Sequence, residues 1–269
     1  MAGVAAAMVA GVGVARWQLG DTLPTSAAAR APHVPPSGVP TVMTAATKVL
    51  PPPTAARVPL PGNGILTRLP GQGDLLALTV DDGANSDVVR MYTQFAKDTG
   101  VRLTYFVNGM YRSWTDNAAL LRPLVDSRQI QLGNHTWSHP DLTTVSAHRM
   151  ADEITRNERF LKKTFGIDAA PYLRPPYGSR NPAVDRVAAD LGYRTVALWS
   201  GSLADSTVVT EDFIVKMAQQ YFTPQTIVLG HLNHLPVTHV YGHLVDLIRS
   251  RKLRTVTLDD VFLRPGRLA

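Results

Sequence analysis

From Asp74 onward the chain alternates between two hydrophobic periods. Short runs rich in Leu, Val, Ile and Thr occupy 74–81, 102–108, 129–134, 171–174, 194–200, 226–231 and 254–258. Runs of that length and composition read as strands. Between them, apolar residues recur at helical spacing over 86–98, 116–127, 146–165, 181–191, 210–221 and 238–251. The clearest helix is SAHRMADEITRNERFLKKTFG. It has Ser146 as N-cap, Met150, Ile154, Phe160, Leu161 and Phe165 as its apolar positions, lysines late, and Gly166 as a stop. Strands and helices in alternation predict a parallel α/β sheet, open or rolled into a barrel. In either arrangement reactive groups collect at the carboxyl ends of the strands. The polar residues fall accordingly: Asp81 and Asp82 close the first strand, His135 follows the third, Arg174 ends the fourth and His231 ends the sixth.

The pattern before Asp74 is different. AGVAAAMVAGVGVA (2–15) is a continuous run of small apolar residues, shorter than the roughly 18–20 needed to span a bilayer and suited to a signal-peptide core, though no basic stretch precedes it. Small-residue cleavage positions follow in TSAAARAP (25–32), and ten of the 20 prolines lie between Pro24 and Pro61, the composition of an extended linker. We expect residues 1–62 to be a signal-like segment and linker, with a catalytic domain over 63–269. The expected location is outside the cytoplasm: secreted, wall-associated or tethered to the membrane by the N-terminus.

Charge and composition narrow the chemistry. The formal net charge is +6, but residues 1–62 hold Arg16, Arg30, Lys48 and Arg57 against Asp21, half of the excess. No basic cluster interleaved with aromatics is present, so nucleic acid is not an expected partner. The absence of cysteine excludes disulfides and thiolate metal sites, leaving His, Asp and Glu as ligands.

GNHTWSHPDL places His135 and His139 four residues apart, between Gly133 and Pro140, which favour a turn over a helix. Two imidazoles and one carboxylate form the ligand set of an open catalytic Zn²⁺ site. His239 and His243 repeat the spacing inside a helical stretch, away from any acidic cluster, and read as surface or core histidines. Of two consecutive aspartates leaving a strand, one can ligate a cation while the other faces water as a general base. A cap or turn at DDGANSD is the structural alternative and is compatible with that role. In YLRPPYGSRNP, Arg174 can hold a carboxylate ionised, and the Tyr177 N–H, fixed by two prolines, can serve an oxyanion. His231 can protonate a leaving group. Together these groups describe metal-assisted hydrolysis of an amide or ester.

Four motifs in this order resemble the polysaccharide deacetylase family, the chitooligosaccharide and peptidoglycan deacetylases of carbohydrate esterase family four. They are Thr79-Val80-Asp81-Asp82-Gly83, His135-Thr136-Trp137-Ser138-His139, Arg174-Pro175-Pro176-Tyr177 and Leu229-Gly230-His231, within roughly 74–262. The resemblance implies a distorted (β/α) barrel, with a divalent metal, Zn²⁺ or alternatively Co²⁺, Ni²⁺ or Mn²⁺, held by Asp82, His135 and His139. It implies Asp81 as base, Arg174 as its tether, Tyr177 as oxyanion donor and His231 as acid. Leu229 would line a pocket for the acetyl methyl, with Trp199 as a further substrate contact. The implied partner is an N-acetylated glycan; O-acetyl esters, as in acetylxylan, are the alternative, and a carbohydrate-binding protein with a degenerate site is a third reading. The family's fourth motif, an Asp-Trp pair, is altered: Asp205 stands at the Asp position and Ser206 at the Trp. Val80 and Ala84 replace the usual Phe and Pro. Oligomeric state has no signature in the sequence.

Overall fold

The computed structural model describes residues 48–264 apart from 55, 62 and 63; the apolar run 2–15 lies outside them. The strands are β1 (Val58–Pro59), β2 (Ile65–Leu66), β3 (Leu75–Asp82), β4 (Leu103–Val107), β5 (Ile130–Asn134), β6 (Tyr172–Leu173), β7 (Thr195–Ala197), β8 (Gly201–Ser202), β9 (Thr226–His231), β10 (Arg254–Thr255) and β11 (Phe262–Leu263). The helices are α1 (Ser86–Thr99), α2 (Ser113–Asp116), α3 (Ala118–Asp126), α4 (Ala147–Phe165), α5 (Pro182–Asp190), α6 (Glu211–Tyr221), α7 (Pro236–His239), α8 (Tyr241–Ser250) and α9 (Leu258–Val261).

Each expected strand and helix is present at least in part, with local changes: of the strand expected over 254–258 only Arg254–Thr255 forms one, and Leu258 opens α9 behind the Thr257 cap. The helix expected over 238–251 breaks into α7 and α8 at Val240, whose φ of −109° is non-helical. The expected strand 194–200 splits into β7 and β8. Upstream of Asn63, β1 pairs with β11, and the Val49 N–H donates to the Thr99 carbonyl. Among the described residues, no helix is long and apolar enough to cross a membrane. α4 is capped as its sequence predicts: the Ser146 side chain accepts from the Arg149 N–H, and Gly166 ends the helix at φ 73°.

One sheet runs β2-β7-β6-β5-β4-β3-β9-β8, with β10 beside the start of β3 and every pairing between its strands parallel. The edge strand β8 and β7, which lies next to the other edge strand β2, are joined by one stretch of chain. β7 pairs with β6, and five residues later Gly201 pairs with Val228 of β9, so the sheet curls into an incomplete barrel with its gap at 198–199. Alternation along β3 sorts its side chains. Leu76, Leu78 and Val80 join the outer core under α1 with Val88, Tyr92 and Phe95, while Ala77 joins the inner core with Phe106, Tyr172 and Ile227. Thr79 and Asp81 follow Ala77 on the inner face. The polar ends of β3, β5, β6 and β9 therefore meet at one mouth.

Candidate active site

The adjacent aspartates face the same site because β3 ends in a left-handed residue. Regular alternation would send Asp82 to the helix-covered face beside Val80. Asp82 instead has φ 76° and Gly83 φ 99°, so the backbone turns at the strand's last residue. Glycine is required at 83: besides its positive φ, a Cβ there would collide with the indole of Trp114. Trp114, wholly buried, holds the turn by donating Nε1–H to the carbonyls of Asp82 (3.2 Å) and Asn108 (3.1 Å). Ser113 donates to the Gly83 carbonyl. Asn85 caps α1 immediately afterwards, accepting from the N–H groups of Asp87 and Val88. The turn thus serves as both helix start and carboxylate platform.

Asp82 Oδ1 lies 3.4 Å from Nε2 of both His135 and His139, and all three ligand atoms fall within 4.8 Å of one another. The second oxygen, Oδ2, accepts from Asn233 Nδ2 at 2.6 Å. His135 Nδ1 is 2.6 Å from the Arg174 carbonyl, which can only accept, so the proton is on Nδ1 and the Nε2 lone pair points at Asp82. Burial opposes the charged form of Asp82, but the close approach of His135 and the positive charge that His135, His139 and His231 can carry outweigh it, holding the carboxyl well below the usual carboxylate range. Burial also works against a charged His135, yet Asp81 and Asp82 raise it; His139 is lowered by burial and by His135.

The donor set fits a divalent cation. Asp82 Oδ1 is buried with no hydrogen-bond partner among the described residues, an expensive arrangement for a carboxylate oxygen unless a cation takes it. Two imidazole nitrogens with one carboxylate oxygen is the chemistry of an open zinc-type site.

Asp81 sits beside this cluster. Its Oδ1 accepts from Arg174 Nη1 at 2.7 Å, and its Oδ2 is 3.6 Å from His135 Nε2. Arg174 is 0% exposed and fills the gap in the barrel. Nε donates to the Ala197 carbonyl (2.8 Å) and Nη2 to that of Leu198 (3.2 Å), the groups left between β7 and β8. The guanidinium stacks 4.2 Å over the Phe106 ring, with Trp199 at 5.5 Å. One arginine thereby closes the barrel and orients the carboxylate. Trp199, a predicted substrate contact, packs here against Arg174 and against Gly178.

Across the mouth, His231 is the register partner of Asp81, so both side chains leave the same face. Leu229, two residues earlier, shares that face opposite Thr79. His231 Nδ1 is 2.9 Å from Asp205 Oδ1, while the other Asp205 oxygen accepts from the His231 backbone N–H at 3.2 Å. Burial lowers the affinity of His231 for a proton, but the Asp205 hydrogen bond and charge more than offset it, and its pKa is raised. The Ser206 carbonyl meets His234 Nε2 at 3.2 Å. Tyr177, 68% exposed, has φ 61°, and its ring stands edge-on to His139 at 4.7 Å. The turn Pro175–Gly178 uses the N–H groups of Gly178 and Ser179 internally; that of Tyr177 finds no acceptor among the described residues.

All ten predicted site residues are near this mouth, whereas His239 pairs with Glu211 on the surface at 2.6 Å and His243 is exposed. Asn233 and Trp114 carried no sequence signal of a role: neither type is specific, and both act on residues far away along the chain.

A sequence model described as polysaccharide deacetylase matches residues 69–196. Residues 69–196 thus match the polysaccharide deacetylase family. Peptidoglycan-N-acetylglucosamine deacetylase PgdA of Listeria monocytogenes is 27% identical over 187 residues, covering 70% of this chain; the chain spans only 38% of that enzyme's length. The chitin deacetylase structure from Colletotrichum lindemuthianum superposes with a TM-score of 0.67 at 24% identity, over 77% of this chain and 95% of that one. A CE4 family pseudoenzyme from Bacillus anthracis superposes equally well, with a TM-score of 0.65 at 19% identity, over 75% and 71% of the two chains. The shared fold therefore says nothing of activity, which depends on the side chains at the mouth.

Proposed function

We propose that this polysaccharide deacetylase domain is a metal-dependent hydrolase, exported from the cytoplasm, that removes N-acetyl groups from N-acetylhexosamine residues of a cell-envelope glycan such as peptidoglycan or a chitin-like polymer. The observation that carries the reading is the orphaned Asp82 Oδ1 facing two Nε2 atoms, with the Asp81–Arg174 and His231–Asp205 pairs on either side. Export is supported by the N-terminal apolar run alone.

A divalent cation held by Asp82, His135 and His139 would supply Lewis acidity toward the acetyl carbonyl and ease the deprotonation of water. Asp81 accepts a proton from the attacking water, and Arg174 keeps its carboxylate oriented. The unengaged Tyr177 N–H donates to the carbonyl oxygen as negative charge develops there. Asp205 holds the His231 proton on Nδ1 and favours the imidazolium, so that Nε2–H can donate to the departing amine. Leu229, on the floor beside His231, offers apolar surface to a methyl group.

The test is acetate release from N-acetylglucosamine oligomers, peptidoglycan strands and acetylxylan by Zn²⁺-reconstituted full-length protein, with and without chelator. Release from the N-acetylated glycans that chelation abolishes is the expected result. Release from acetylxylan alone would reassign the protein as an O-deacetylase, and release from none would make it a binding protein.

A further inference from the structure

Glu153 is a buried carboxylate that none of these steps uses. It projects from the middle of α4, is 1% exposed, and is held by two hydrogen bonds and an ion pair. The hydrogen bonds come from Ser138, whose N–H donates to Oε2 and whose hydroxyl donates to Oε1, both at 2.7 Å; the ion pair is with Arg149, whose Nη2 lies 2.6 Å from Oε1. Ser138 immediately precedes His139. The segment between the histidines is under backbone strain, since Thr136 (φ 71°) and His139 (φ 61°) both occupy the left-handed region that residues with a Cβ adopt only uncommonly and a β-branched residue least of all. Such a conformation persists only where the surroundings impose it.

α4 supplies those surroundings along one stripe. Arg149, Glu153, Arg156, Asn157 and Phe160 are spaced at three to four residues and so share a face. Each meets the segment Asn134–Ser138. Arg156 lies 4.2 Å over the Trp137 ring and Phe160 stands edge-on to it at 6.0 Å. Asn157 donates to Asn134 Oδ1 at 2.8 Å, which in turn accepts from the Thr136 N–H at 2.9 Å. Arg149 also approaches the Ser138 hydroxyl at 3.5 Å. Within this stripe only Glu153 carries a charge that is removed from water and directed at the loop backbone.

We infer that Glu153 is a positioning residue for the metal site, a buried anionic clamp that holds Ser138 and thereby imposes the left-handed backbone that aims His139 at Asp82. It acts at one remove from the cation, and in that respect rests on the metal reading above. A purely structural carboxylate would stabilise α4 without changing the loop's ability to bind a cation.

The variants E153Q, S138A and their combination in the full-length protein separate these roles. E153Q keeps the side chain's shape but lacks one acceptor; S138A removes the hydroxyl and keeps the backbone N–H that Glu153 also accepts. Zn²⁺ affinity measured by competition with a chromophoric chelator should weaken about tenfold in E153Q. The S138A change should be smaller, and the double variant no weaker than E153Q, because the two residues form one interaction. In metal-free protein, amide hydrogen exchange over 134–139 should accelerate in E153Q while exchange in α1 and β3 stays as in the wild type. Unchanged affinity together with unchanged loop exchange would overturn the clamp, as would additive losses. Should the wild type bind no divalent cation, the metal reading fails and the exchange comparison alone decides the clamp.

Discussion

The two ends of the barrel treat charge in opposite ways. At the amino ends of the strands, carboxylates are matched by arginines in closed, forked pairs. Arg102 grips Asp260 through Nε (2.6 Å) and Nη2 (2.7 Å), and Arg264 grips Asp259 through Nε and Nη2 at 2.7–2.9 Å. At the carboxyl ends, two aspartates sit side by side with one arginine bonded to Asp81 alone, one Asp82 oxygen is left without a hydrogen-bond partner among the described residues, and two imidazoles face it. The first arrangement satisfies itself and stabilises the fold. The second is incomplete without a ligand, the condition a reactive site requires. It is tolerated because the surrounding groups, Trp114, Asn233 and Arg174, fix the backbone and leave the charges nowhere else to go.

The contrast yields tests, beginning with the largest effect. D81N should lower deacetylation by about a thousandfold while Zn²⁺ affinity changes little, because Asp81 is proposed as the base and not as a ligand. Acetate release and metal titration on one sample measure both, and retained activity would erase the distinction between the two aspartates. D205N should lower activity by about a hundredfold at neutral pH. Its pH profile carries the sign: a general acid works below its pKa, and Asp205 raises that of His231. Removing the charge lowers that pKa, so the alkaline limb must move to lower pH and the deficit must grow as pH rises. A shift in the other direction would remove His231 from the acid role. N233A should weaken Zn²⁺ binding by roughly tenfold, since it frees Asp82 Oδ2 and with it the direction of Oδ1. D260N belongs to the other end and should cost about 3 kcal/mol of stability, seen in denaturant unfolding, with kcat/KM of the folded enzyme unchanged. A loss of activity without loss of stability there would dissolve the division between the two ends.

Much of the site was legible because its chemistry is local. The carboxylate pair, the two histidines, the Arg-Pro-Pro-Tyr turn and His231 each stand at the end of an apolar run, and parallel α/β topology brings such ends together. Asp205 was legible only as a position in an altered motif; its role became visible in the 2.9 Å contact with His231. Arg174 was expected as a tether for Asp81. That it also closes the barrel by taking the Ala197 and Leu198 carbonyls depends on a break between β7 and β8 for which the strand pattern held no signal.

By itself, then, the sequence determined the period of each element, the caps of α4 and the residue types available for chemistry, because these depend on near neighbours along the chain. Tertiary structure alone decided that Asp82 turns out of its strand under Trp114, that Asn233 reaches it from 151 positions away, and that one face of α4 grips the histidine loop. The physical reason is that a hydrogen-bond partner is chosen by strand register and backbone dihedral, and neither leaves a periodic trace in the residues it joins.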